Sequence, residues 1–314
     1  MVRPSVLMEE IMLGVTIGNF DGVHLGHRRL LEAARAAVGP TGRVVAVTFD
    51  PDPAMVLGHS SPARLMSLTR RQEMLKRRGA DEVLVIETTT ELLAASPETF
   101  LDRLTTMFGG VPSVMVEGPD FRFGHRRSGG VEDLRRFGAD RGFKVHVEEE
   151  HRVRLKSGLE TPVRSSAIRE LLRLGRVEDA GVLLGEPHVL DGVVVQGDQR
   201  GRTIGIPTAN LDLQGGLLPA DGVYAGLATL PDGSSHPAAI SIGTKPTFEE
   251  TPRVAEIHVL DWAGTLDDYG WRLEATLVRR LRGQYRYDDL PSLLAQIERD
   301  IAAVRRTCIE SGHA

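Results

Sequence analysis

The sequence predicts two domains of different class: an α/β domain with a doubly wound parallel sheet, then a small all-β domain closed by a terminal helix. Three observations carry this reading. From Leu13 to about Leu184, short β-branched runs alternate with stretches of helical periodicity, the pattern of a parallel sheet with crossover helices. After Gly185-Glu186-Pro187 the pattern turns to strands separated by glycine and proline turns, as in a small barrel or sandwich. Near the end, Leu290, Leu293, Leu294, Ile297 and Ile301 share one face of a helix suited to packing on that barrel. The composition shift sets the domains at 1–185 and 186–314.

In chain order, Leu13 to Ile17, Val44 to Phe49, Val83 to Ile86, Val114 to Val116 and Lys144 to Val147 are short β-branched runs and read as strands. Between them, Arg28 to Val38, Leu68 to Arg78, Pro97 to Phe108 and Val131 to Phe137 carry apolar residues at helical spacing. Ser166 to Leu174 and Val177 to Leu184 add two helices. The second domain offers Val189 to Gln196, Gly222 to Thr229, Ala238 to Ile242, Ala255 to Leu260 and Leu273 to Leu281 as strands, then the helix Leu290 to Val304.

Apolar residues make up 41% and charged residues 26% of the chain, a balance that excludes a disordered or fibrous protein. Cys308 is the one cysteine, so an internal disulfide and a cysteine zinc site are excluded and a reducing compartment fits. No stretch approaches the ~18 apolar residues of a membrane span. The expectation is a cytoplasmic, unanchored protein. A net charge of −5 argues against a broad nucleic-acid surface. Arg126, Arg127, Arg164 and Arg169 cluster locally, which suits a small phosphorylated ligand, although each alone reads as a solvated arginine.

Gly18-Asn19-Phe20-Asp21-Gly22-Val23-His24-Leu25-Gly26-His27 follows the first strand and opens the first helix. Such a turn at the carboxyl edge of a parallel sheet is a ligand position, and the N–H groups of a helix start attract phosphate. Gly22 and Gly26 allow close backbone approach. His24 and His27, three apart, point to one side and can donate to phosphate oxygens that gain charge during transfer. Two structural histidines, or a zinc pair completed by Asp21, are the other readings. No Gly-Lys-Ser/Thr follows, so this is not a P-loop, and His-x-Gly-His is similar to the signature of the nucleotidyltransferase superfamily. Arg164-Ser165-Ser166-Ala167-Ile168-Arg169 suits a second element: Ser165 or Ser166 would cap the next helix, and Arg169, one turn in, would reach a triphosphate. A simple capped helix is the plain alternative.

Four ordered segments resemble the prokaryotic bifunctional riboflavin kinase/FAD synthetase family. Residues 18–27 match its first adenylyltransferase motif, and Ser165 to Arg169 its Ser-Ser/Thr-x-Ile-Arg element. Thr48-Phe49-Asp50-Pro51-Asp52-Pro53 looks like the family's Thr-Phe-Asp-Pro-x-Pro strand end. Gly118-Pro119-Asp120-Phe121-Arg122-Phe123-Gly124 with Arg127 looks like its Asp-Phe-Arg-Phe-Gly segment. The resemblance implies transfer of AMP from ATP to the phosphate of FMN, releasing pyrophosphate, through positioning and charge stabilisation by His24, His27, Arg169 and a metal ion. It implies ATP contacts from Gly18, Asn19, Asp21, Gly22, Gly26, Ser165 and Ser166. Flavin contacts would come from Asp120, Phe121, Arg122, Phe123 and Arg127; alone, the two phenylalanines read as core aromatics. Three positions depart from the family: Asp52 stands for its His or Gln, Glu87-Thr88 for Pro-Phe, and Gly130 for Asp or Asn. Thr88 thereby removes a stacking surface, a loss on the order of 1 kcal/mol of flavin binding.

In the second domain, residues 197–210 are dense in glycine and polar groups, with no helical pattern after them. The glycines suit a loop whose N–H groups fold over phosphates. Thr208 and Asn210 share one side of an extended backbone, where a hydroxyl and an amide oxygen can ligate Mg2+ with nucleotide phosphates. A β-turn with a polar strand end is the plain reading. Gly205-Ile206-Pro207-Thr208-Ala209-Asn210 resembles the riboflavin kinase Gly-x-Pro-Thr-Ala-Asn motif, and Gly222-Val223-Tyr224-Ala225, residues 242–248 and Glu256-Ile257-His258 follow in family order. This implies a six-stranded Greek-key barrel that transfers the ATP γ-phosphoryl group to the terminal ribityl hydroxyl of riboflavin, giving FMN. Thr208 and Asn210 would hold Mg2+ with ATP, and the Gly201 to Gly205 loop would cover the phosphates. Glu256 would be the base that a weakly nucleophilic alcohol needs. Ser241, Lys245 and Asp267-Asp268-Tyr269-Gly270 depart from family usage around that set. The expectation is a transferase acting on ATP, riboflavin and FMN and binding neither nucleic acid nor a membrane. The residues leave open a flavin kinase with an altered adenylyltransferase domain, and a flavin-binding protein without catalysis.

Overall fold

A computed structural model describes residues 11–58, 62–197, 200–244, 253–262 and 269–312. Asp198, Gln199, Lys245, Pro246, Thr247, Phe248, Asp267 and Asp268 of the segments above lie outside the described residues. The described chain divides into two compact units. One holds residues up to Pro62 with Arg71–His151, and the other holds Ala63–Arg70 with residues from Arg152 onward.

The first unit contains β1 (Leu13–Ile17), α1 (Leu25–Val38), β2 (Arg43–Asp50), α2 (Pro53–Val56), α3 (Leu68–Arg77, whose first turn belongs to the other unit), β3 (Glu82–Glu87), α4 (Thr90–Ala94), α5 (Pro97–Phe108), β4 (Val114–Glu117), α6 (Val131–Arg141) and β5 (Lys144–Val147). The five strands are parallel in the order β3-β2-β1-β4-β5. The inner strands β1, β2 and β4 are buried on both faces, and Val15, Val45, Val47 and Met115 join Leu101, Leu104 and Leu134 in one core. Strand order reverses between β1 and β4, and the crevice outside their carboxyl ends is the ligand position of such sheets. Their pairing stops at Val15↔Met115. Beyond it the Ile17 N–H donates to Glu117 Oε1 at 2.8 Å, so a buried carboxyl occupies the fork. Burial holds that carboxyl well above the usual carboxylate range.

The short helices α2 and α4 form without apolar periodicity. Each has a side-chain cap, Asp52 accepting from the Ala54 N–H and Thr89 from the Leu92 N–H, which stabilises a single turn.

The second unit continues with β6 (Arg152–Arg154), β7 (Glu160–Pro162), α7 (Ser165–Arg173), α8 (Val177–Leu184), β8 (His188–Val195), α9 (Arg200–Thr203), β9 (Ala209–Asp212), β10 (Gly222–Thr229), β11 (Ser235–Gly243), β12 (Val254–Val259), β13 (Arg272–Arg282) and α10 (Leu290–Glu310). Strands β8 to β13 close into an antiparallel barrel in the order β10-β11-β12-β9-β8-β13. Inward Ala255, Ile257 and Val259 alternate with half-buried Val254, Glu256 and His258, the period of a strand with one face in the core. Val304 and Cys308 of α10 pack on Ala225 and Leu260. Helix α8 packs on β8 and β13, so residues 152–185 group with the barrel. So does the 63–70 segment: Ser67 Oγ donates to Asp191, Arg70 pairs with Glu274 at 2.5 Å, and the Leu217 N–H donates to the Arg64 carbonyl at 2.8 Å. Among the described residues no helix is long and apolar enough to cross a membrane.

Candidate active sites

The turn between β1 and α1 is held at positive φ, with Phe20 at 49°, Gly22 at 90° and Val23 at 38°. Non-glycine residues rarely adopt this conformation, β-branched ones least of all, and such strain persists where packing over-determines it. Here Phe20 and Val23 are both fully buried. His24 caps α1, its Nδ1 accepting from the His27 N–H at 3.3 Å. In the neutral ring the proton then lies on Nε2, a donor. The two imidazoles stack at 3.5 Å and 15°, and the Phe20 ring meets His27 edge-on at 5.1 Å. Desolvation, then the charges of His24 and Arg71, push the His27 pKa well below its ordinary value, so the ring is neutral at pH 7. Its Nδ1 is buried without a hydrogen-bond partner among the described residues.

Distant parts of the first unit meet at Asn19. Its carbonyl accepts from Arg71 Nη1 at 2.6 Å and Thr48 Oγ1 at 3.2 Å, while its Nδ2 donates to Asp52 Oδ2 at 3.1 Å. Arg71 Nη2 also reaches the Phe49 carbonyl at 3.3 Å. Asp52, one of the departures, therefore ties the first motif to the β2 end. Thr88, another, is buried and donates its hydroxyl to the Pro51 carbonyl at 2.6 Å, fixing the same corner.

Phe121 stacks on Phe123 at 5.3 Å. Phe123 is 5% exposed and belongs to the core, whereas Phe121 is half-buried beside it. Asp120, Arg122 and Arg127 are exposed. The Arg122 guanidinium lies over Gly130, where an added β-carbon would be 2.4 Å from Nη1, so the third departure makes room for an arginine of the expected flavin segment. Helix α7 begins at Ser165 with Arg164 in the cap position and no side-chain capping bond. The expected cap by Ser165 or Ser166 is thus corrected: the extended backbone of Arg164 starts the helix one residue earlier. Arg169 Nε donates to the Ala63 carbonyl at 3.0 Å. Ser165, Ser166 and Arg169 belong to the second unit, the two histidines, Gly18, Asp21 and Gly26 to the first.

The barrel carries a cavity of about 650 Å³ lined by Gly201, Thr208, Asn210, Ser241, Glu256 and residues of β13 and α10. Ser241 on β11 is paired with Glu256 on β12, which is paired with Asn210 on β9. Directly opposed residues bring their β-carbons within about 4.5–5.5 Å. Asn210 is buried, and its Oδ1 has no hydrogen-bond partner among the described residues. Gly197 leaves space for that amide, since a β-carbon there would lie 2.0 Å from Asn210 Nδ2. His258 Nδ1 donates to the Pro207 carbonyl at 2.7 Å and so fixes the approach to Thr208. The loop expected to fold its N–H groups over phosphates is partly bonded to itself. The Ile204 and Ile206 N–H groups donate to the Gly201 carbonyl at 3.2 and 2.8 Å, and the Gly205 N–H to Arg202 at 3.1 Å. Without a β-carbon Gly201 lets the chain fold back, Gly205 turns at φ 79°, and these N–H groups are spent in the turn after α9 rather than forming a nest.

Several residues of these sites escaped sequence reasoning. Arg71 and Glu117 have no local motif. Arg282 forms hydrogen bonds of 2.7–3.1 Å to Asp300 of α10, which Gln296 also reaches at 2.9 Å. Burial opposes the Arg282 charge, but the Asp300 hydrogen bonds and charge prevail and raise its pKa. A carboxylate between Ile297 and Ile301 in an apolar stripe was the available signal.

Comparison with known proteins gives the FAD synthetase family model over residues 9–158 and the riboflavin kinase model over residues 184–308. A bifunctional riboflavin kinase/FMN adenylyltransferase of Escherichia coli K12 is 35% identical over 301 residues, covering 93% of this chain and 91% of that protein. The protein of the same name from Listeria monocytogenes is 32% identical, covering 91% and 89%. A Streptococcus pneumoniae crystal structure described as a macrolide-efflux protein superposes with a TM-score of 0.80 at 29% identity, over 94% of both chains.

Proposed function

The chain belongs to the family of bifunctional riboflavin kinase/FMN adenylyltransferases, and from that premise we propose how each unit works. The barrel phosphorylates riboflavin with ATP, and the parallel-sheet unit adenylylates FMN with a second ATP, giving FAD and pyrophosphate. We assign residues 1–185, including α7, to adenylyl transfer and 186–314 to the kinase. A cytoplasmic enzyme fits the single, buried Cys308.

The observation that carries the kinase assignment is the unpartnered, buried Oδ1 of Asn210, paired in register with Glu256. An oxygen without a donor is what a hard cation needs, so Asn210, with Thr208, fits Mg2+. Bound there with ATP, the ion would neutralise charge on the phosphates. Glu256 takes the proton of the terminal ribityl hydroxyl as its oxygen bonds to the γ-phosphorus and the bond to ADP breaks. In the other unit the FMN phosphate is already nucleophilic, so no base is required. His24 donates through Nε2, and His27, neutral and held by the stack, positions that donor; Arg169 supplies charge to the triphosphate. Asp120, Phe121, Arg122 and Arg127 receive the flavin, with Phe123 beneath them as support.

The test is incubation with riboflavin and Mg-ATP, separating FMN and FAD by chromatography. Both should appear in sequence. FMN without FAD, even from supplied FMN, would refute the adenylyltransferase half, and neither product would refute both.

A further inference from the structure

The kinase cavity has a polar wall longer than the base and metal ligands require. Gln284, just past β13, lays its carboxamide flat on the backbone of Gly243 at the end of β11. A β-carbon on Gly243 would lie 2.2 Å from Gln284 Oε1, 2.3 Å from Nε2 and 2.4 Å from Cδ. From this seat Nε2 is 3.5 Å from Ser241 Oγ, and Ser241 is the cross-strand partner of Glu256. Gln284, Ser241, Glu256 and Asn210 thus form a row of hydrogen-bonding side chains, all lining the cavity. Its further lining includes apolar or aromatic Val223, Tyr287, Leu293 and Ile297 beside polar groups such as His258 and the Arg282–Asp300 pair. A cavity that offers this apolar surface together with the polar row suits a ligand with a flat apolar body and a polyhydroxylated chain, the chain lying along the row that ends at the base. A carboxamide presents a donor and an acceptor together, which matches a hydroxyl better than a phosphate.

We propose that Gln284, seated on Gly243, is a specificity-determining residue of the kinase: it binds the hydroxylated chain of the acceptor and so presents the terminal hydroxyl to Glu256. This rests on the kinase reading of the barrel. Gly243 is then the cradle of that side chain, and its replacement acts through Gln284 alone, because the far end of a flexible side chain yields before the backbone does.

The test compares riboflavin with lumiflavin, the same ring with a methyl group in place of the ribityl chain, in FMN formation. For Gln284→Leu the riboflavin KM should rise about three- to tenfold, the worth of one neutral hydrogen bond, while the Ki of lumiflavin as a competitor stays unchanged. Gly243→Ala should reproduce this selective loss, and the double variant should be no worse than either single one. An equal rise for both flavins, or no rise for riboflavin, would overturn the proposal while leaving the kinase reading intact. A wild-type protein that forms no FMN would overturn the kinase reading and this inference with it.

Discussion

Acidification should destabilise the barrel through one side chain, His188. It lies at the start of β8, 3% exposed and paired in register with Leu277 of β13, and its Nε2 has no hydrogen-bond partner among the described residues. Burial, and secondarily the charge of Arg70, bring its imidazole from 6.5 down to about 4. Below pH 6.5 the unfolded chain takes up a proton that the folded barrel refuses until about pH 4, so stability falls across that window and levels off beneath it. At about 1.4 kcal/mol per pH unit, the whole window removes about 3.5 kcal/mol, of which about 3 kcal/mol is lost by pH 4. His188→Phe keeps a ring of similar size and abolishes the titration, and the contributions of all other acidic and basic groups cancel between the two proteins. The chain has two tryptophans, Trp262 and Trp271, both in the barrel unit with rings 6.4 Å apart, so their fluorescence in denaturant titrations reads that unit. Between pH 7 and pH 4 the wild type should lose about 3 kcal/mol more than the variant. An identical pH dependence in the two proteins would refute the reasoning.

Glu256→Gln should lower FMN formation by about 10²- to 10⁴-fold and spare FAD formation from supplied FMN, whereas His27→Ala should give the reverse; chromatography of both products distinguishes them. Asp300→Ala leaves the Arg282 guanidinium, 16% exposed, without its carboxylate. The barrel should lose about 3–5 kcal/mol, seen in the same fluorescence titration, with Asp300→Asn losing less. Chelation of divalent metal should stop FMN formation and added Mg2+ restore it; turnover in chelator would contradict the role given to the Asn210 oxygen.

The parallel sheet was legible because its strands are short β-branched runs, the inner three, β1, β2 and β4, buried on both faces. Each was placed within two residues. The barrel strands, except β9, were legible as runs set off by glycine and proline turns. That strand is four residues long, too short for the alternation of Ala209 and Leu211 with Asn210 and Asp212 to stand out, so only the motif marked it as extended. Helices α2 and α4 rest on one capped turn each, below the length at which periodicity speaks. The same division holds at the sites. His24 and His27 meet because they are three apart on one chain segment. Arg71 reaches Asn19, Glu117 reaches Ile17, and Arg282 reaches Asp300 only through tertiary packing, which a local pattern does not encode.

The ladder Ser241–Glu256–Asn210 makes the position of Glu256, the base proposed for the kinase, a property of strand register rather than of any loop. A slip of one residue along β12 would turn Glu256 toward the interior and bring Ala255 or Ile257 to the cavity wall. The backbone that carries the Glu256 side chain is therefore fixed by the pairing of β12 with both of its neighbours. A substitution at a remote barrel turn that misaligns β12 would silence the reaction without touching it, and phosphorylation of riboflavin reports, in effect, that the barrel has closed on its correct rung.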